Sequence, residues 1–76
     1  MPVDVNDVCK AVGLVLGRKG IVASDRIVED LGAESADVLN IVVTMEDKYG
    51  ISINEADVPS IRTVAELHAL VSRSVA

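Results

Sequence analysis

Among the side chains able to do chemistry, Ser35 has the most informative setting, in the run Glu29-Asp30-Leu31-Gly32-Ala33-Glu34-Ser35-Ala36-Asp37. Val38, Leu39, Ile41, Val42, Met45 and Tyr49 follow it at spacings of three and four, which predicts an amphipathic helix. That puts Ser35 where an N-cap belongs, and serine is among the commonest caps, so a structural role is the ordinary reading. A helix N-terminus also leaves N–H groups unpaired in a favourable field, and a phosphodiester on the hydroxyl would suit it. No strand precedes the serine and no Gly-x-Ser-x-Gly elbow surrounds it, which argues against a hydrolase triad. EF-hand, phosphate-loop and His-Glu-x-x-His patterns are missing from the sequence, and no dedicated metal site is expected.

Two other reactive groups stand alone. Cys9 has no second cysteine for an intramolecular disulfide or a cysteine metal cluster, and is expected to be a small buried apolar residue. His68, the single histidine, falls on an apolar helix face and is expected to be a half-buried structural imidazole.

The elements that must position Ser35 follow from caps and periodicity. Asp4 can cap a first helix with Val5, Val8, Cys9, Val12 and Leu16 on one face and Gly17 as a left-handed stop. Residues 18–34 form a connection too long to be idle in so small a chain, with Ile21, Val22, Ile27, Val28 and Leu31 as apolar anchors. Arg18, Lys19 and Arg26 are expected to be simply solvated there. The second helix is predicted from Ala36 to Tyr49, ended by Gly50. Ile51-Ser52-Ile53 alternates, but without a partner strand it is predicted to be an extended connection. Asn54 caps a short helical turn closed by Pro59, and Thr63-Val64-Ala65-Glu66 is a capping box opening a last helix, with Val64, Leu67, His68 and Val71 on one face. The expected fold is all-α: a small four-helix bundle, three longer helices plus one short, with a long first loop, in a single domain over residues 1–76.

Charge narrows the function classes. Between Glu29 and Asp57 stand eight acids against one base, Lys48, whereas the remainder carries four acids and six bases, within a net charge of −5. A negative field centred on the serine favours basic protein partners. Nucleic acid is disfavoured by the sign of that field and by the single aromatic side chain, which leaves no stacking platform. No apolar run approaches membrane-spanning length, no signal-like segment opens the chain, and a cytoplasmic setting is expected.

The residues Leu31-Gly32-Ala33-Glu34-Ser35-Ala36 resemble the serine motif of acyl carrier proteins, and the upstream Glu29-Asp30-Leu31-Gly32 resembles that family's loop end. Ile51-Ser52-Ile53 and Ile61-Arg62-Thr63-Val64 resemble its later landmarks, so the likeness covers nearly the whole chain. It implies a monomeric carrier rather than an enzyme, with a 4′-phosphopantetheine arm on Ser35 holding acyl groups as thioesters. Its implied partners are a phosphopantetheinyl transferase and acyl-loading and acyl-processing enzymes with basic docking surfaces. Partner recognition would then fall to Glu34, Ala36, Asp37, Asn40, Glu46 and Asp47, and Leu39, Val42, Val43, Met45, Ile53 and Ile61 are candidates to line an acyl cavity. Two residues depart from the family pattern: Glu34 replaces the usual aspartate but keeps the carboxylate that helps hold magnesium during arm transfer, and Ala36 replaces the usual leucine. Ala36 and Asn40 suggest a dedicated partner set in a specialised fatty-acid, lipid or polyketide pathway. A peptidyl or aminoacyl carrier, or an unmodified helical interaction domain, is the alternative.

Overall fold

The first helix, α1 (Val5–Leu16), starts and stops where its end residues dictate. The Asp4 carboxylate accepts from the Asn6 N–H at 2.8 Å, and Gly17 closes the helix at φ 67°, its N–H returning to the Gly13 carbonyl. Arg18 N–H donates to that same carbonyl at 2.9 Å, and a Cβ on Gly13 would lie 2.5 Å from the Arg18 carbonyl oxygen. The close approach explains a glycine that costs about 1 kcal/mol of helix propensity.

The computed structural model describes residues 3–75. After a long loop come α2 (Ser35–Tyr49), a 3₁₀ helix (Glu55–Ser60) and α3 (Val64–Val75). The architecture is the expected bundle, α1 packing against both α2 and α3, and among the described residues Ile51-Ser52-Ile53 forms no strand. Pro59 lies inside the 3₁₀ helix instead of closing it. A turn this short loses a single bond to the missing proline N–H, and the Ile61 N–H still reaches the Val58 carbonyl at 3.1 Å.

Fully buried side chains from every long element meet in one core: Val8 and Val12 of α1, Ile41 and Met45 of α2, Val64, Leu67 and Val71 of α3. Cys9 is buried with them, and desolvation, then the Asp25 charge, pushes its thiol above the ordinary value, so it packs rather than reacts. Tyr49 is half-buried at the C-terminal end of α2, and its hydroxyl is buried without a hydrogen-bond partner among the described residues.

The long loop is fastened to the entry of α3. Arg26 and Thr63 form an isolated antiparallel bridge, Ile27 N–H donates to the Arg62 carbonyl at 2.9 Å, and Val64 and Ala65 N–H groups donate to the Asp25 and Ala23 carbonyls at 3.0 and 2.8 Å. Ile27 and Leu31 are the buried anchors, at 2 % and 8 % exposure, and Ile21 is partly buried. Val22 and Val28, expected as anchors, are instead about half exposed because the turns around Asp25 and Glu29 carry them outward.

Two of the three basic loop residues are also more than solvated. The Arg26 guanidinium pairs with Asp30 at 3.1 Å, and hydrogen bonds from its side chain and backbone hold the Asp30 carboxyl below the usual carboxylate value. Arg18 Nη1 donates to the Leu31 carbonyl at 3.1 Å. His68 is half-buried as expected, and its Nε2 donates to the Val3 carbonyl at 2.7 Å, tying α3 to the start of the chain.

Candidate functional site at the head of the second helix

Gly32, at φ 69°, turns the loop so that Ala33 is buried while Glu34, Ser35 and Ala36 emerge into solvent. The N-cap of α2 is Glu34, in an extended conformation, and Ser35 is the first helical residue. The expected serine cap is therefore corrected by one position. The Asp37 carboxylate accepts from the Glu34 N–H at 3.0 Å, and the Glu34 carbonyl accepts from Val38 at 3.0 Å. Backbone geometry places the cap, and it assigns the satisfying side chain to Asp37.

This shift frees the serine. Among the described residues the exposed Ser35 hydroxyl has no hydrogen-bond partner, yet it stands in the first turn, where unpaired N–H groups and the helix dipole favour a negative group. An open depression of about 630 Å³ begins beside it, bordered by Ser35, Val38, Leu39, Val58, Pro59 and Ile61. A phosphate ester fits here: its oxygens would face solvent and the helix terminus, and a chain leading from it would meet apolar side chains.

The six cavity candidates divide. Leu39 and Ile61 border this depression; Val42, Met45 and Ile53 are buried in the core, and Val43, one turn beyond Leu39, is half exposed and does not line it. A row of apolar residues three or four apart includes both core and rim positions, which periodicity alone does not separate. Val28, Ala33, Val38, Val58 and Pro59 were not anticipated as lining. The exposure of Val28 next to Ser35 is visible only once the loop is folded.

The surface residues expected to meet partners divide as well. Ala36, Asn40 and Asp47 are exposed, and Glu34 and Asp37 flank the serine. Glu46 is half-buried and its Oε2 accepts from the Ile53 N–H at 2.9 Å, so it holds down the connection after α2. Lys48 lies over the Tyr49 ring, 5.7 Å from its centroid. No cluster of three potential metal ligands occurs among the described residues.

The short helical bundle and its exposed serine agree with a carrier class, since residues 6–71 match the family model described as a phosphopantetheine attachment site. The chain belongs to the acyl carrier protein family. It is 36 % identical over 67 residues to an acyl carrier protein of Exiguobacterium sp., covering 86 % of this chain and 85 % of that one. With the acyl carrier protein of Thermotoga maritima it shares 28 % identity over 50 residues, 66 % of this chain and 62 % of the relative's length. A Mycobacterium tuberculosis structure assigned as an acyl carrier protein superposes with a TM-score of 0.86 at 26 % identity, covering 91 % of this chain and 95 % of that one. The protein is thus a carrier rather than a catalyst, its cofactor is 4′-phosphopantetheine, and its work requires partner enzymes.

Proposed function

We propose that Ser35 is the attachment point, that a phosphopantetheinyl transferase esterifies its hydroxyl from coenzyme A, and that the chain shuttles acyl groups between separate enzymes. The observation that carries this reading is the exposed, unengaged hydroxyl at the first position of α2. When bound, the arm supplies a terminal thiol that holds the acyl group as a thioester. Everything else is the work of the chain: α2 gives the ester a rigid base, and the acidic residues around it attract basic docking surfaces. Tethering keeps the cargo at high effective concentration near a docked active site.

Leu39 and Ile61, with Val28, Val38 and Val58, form an apolar border where an acyl chain would shelter. NMR shifts at these side chains should change on acylation; unchanged shifts would remove the sheltering role. The predominantly acidic surface from Glu29 to Asp57 favours acyl carriage over peptidyl carriage. Ala36, where the family usually has leucine, removes an apolar contact and favours a dedicated partner set of a specialised lipid, fatty-acid or polyketide pathway. We read residues 1–76 as one domain acting as a monomer in the cytoplasm. No helix among the described residues is long and apolar enough to cross a membrane.

Intact mass tests the assignment. Co-expression with a broad-specificity phosphopantetheinyl transferase should add one arm to the chain and none to Ser35→Ala. An unmodified chain would return the protein to the role of a helical interaction domain.

A further inference from the structure

A second depression, of about 840 Å³, lies between α1 and the start of the loop after it, and it shares no lining residue with the one beside Ser35. Cys9, Gly13 and Ile21 contribute to it, and Leu14 stands at its edge, 84 % exposed, the most exposed large apolar side chain among the described residues. Its charged lining residues are Lys10, Arg18 and Lys19, with no carboxylate among them. Two of the arginines outside it are paired, Arg26 with Asp30 and Glu29 and Arg62 with Glu29. Among the described residues Lys10, Arg18 and Lys19 form no ion pair, so a chain of net charge −5 gathers three cations around one exposed leucine. Arg18 is also preset, because Nη1 is anchored on the Leu31 carbonyl while its other N–H groups remain available.

We propose that this depression docks an acidic amphipathic helix of a partner protein, an apolar side chain seating against Leu14 and Ile21 and carboxylates facing Lys10, Arg18 and Lys19. The shape suits a helix. Lys10 and Leu14 stand one helical turn apart on α1, and the missing side chain at its C-cap, Gly17, leaves open space beside that ridge. Charge complementarity selects an acidic partner, and the concave shape takes a protruding side chain. An anionic bilayer would be repelled by the net charge and would need a convex apolar face. The site does not use Ser35, so it stands or falls separately from the arm.

The test is an ¹⁵N-NMR titration of the full unmodified chain with a synthetic 18-residue helical peptide bearing leucines on one face and glutamates beside them. A glutamine version of the peptide and phosphatidylglycerol-containing vesicles form the other arms. Amide shifts should concentrate between Lys10 and Ile21. Affinity should fall at least tenfold for the glutamine peptide, for the double variant Lys10→Glu/Lys19→Glu and for Leu14→Ser, and should weaken with added salt. All three substituted side chains are exposed, and circular dichroism of each variant checks the fold. Shifts centred on α2, no shifts, or equal binding of the glutamine peptide would overturn the proposal. Vesicle binding that the same charge reversals abolish would overturn it in favour of lipid. Self-association in sedimentation equilibrium that Lys10→Glu abolishes would overturn it in favour of a second copy.

Discussion

The heads of α2 and α3 use the same kind of closure and leave opposite results. At α3, Thr63 is the capping hydroxyl: its Oγ1 accepts from the Glu66 N–H at 3.1 Å while Glu66 Oε1 accepts from the Thr63 N–H at 2.9 Å. The next residue, Val64, is fully buried. At α2 the cap is Glu34, and the hydroxyl residue comes one position later, exposed and unengaged. A hydroxyl at the cap is consumed by the backbone, whereas a hydroxyl at the first helical position remains available. One register step separates a hydroxyl spent on the backbone from one left open to solvent.

The largest expected effect is all-or-none. Thr63→Ala should still accept one phosphopantetheine in the intact-mass assay and Ser35→Ala none; loading of both or of neither would break the contrast. Next comes packing at the equivalent position: Val64→Ala should destabilise by about 2 kcal/mol, because it opens a void in the core. For a chain this small that is a fall of roughly 8–16 °C in melting temperature. Thr63→Ala should cost about 1 kcal/mol in urea denaturation through the lost cap. Ser35→Ala should stay within about 0.5 kcal/mol, as for a surface change away from such features; a loss as large as that of Thr63→Ala would show that Ser35 caps α2 after all.

The smallest expected effect concerns the loop that joins the two heads. Arg26 pairs with Asp30 through its side chain and with Thr63 through its backbone. The Asp30 carboxyl is held below its ordinary value by Arg26, so its contribution is present above the unfolded carboxylate pKa and disappears as pH falls through the depressed folded one. Carboxyl ¹³C titration should show an Asp30 midpoint lower than an ordinary aspartate's, and Arg26→Ala should move it up. An unmoved midpoint would exclude that pair as the cause.

The ends of the helices were legible because single residues set them: Asp4, Gly17, Gly50, Asn54 and Thr63 all act as their types suggest. The run around Ser35 marked the start of α2, but placed its cap one residue late. Glutamate is not among the favoured cap residues, and the extended backbone that makes Glu34 the cap leaves no mark in the order of amino acids. Contacts across the chain were equally hidden. Nothing in the spacing says that Glu46 reaches the Ile53 N–H, or that Arg18 reaches the Leu31 carbonyl. The apolar row of α2 was visible, but the division of Met45 to the interior and Leu39 to the rim depends on where the loop and the 3₁₀ helix come to rest.

Tyr49 gives the molecule a built-in optical reporter. It is the only tyrosine in a chain without tryptophan, so all the near-ultraviolet fluorescence due to aromatic side chains originates at one point. Burial, then the Asp7 and Asp4 charges, raises its phenol pKa, which ties the emitting ring electrostatically to the first turn of α1. Any event that loosens this seam between α1 and α2 would change the ring's emission and the alkaline midpoint of its absorbance, with no label attached.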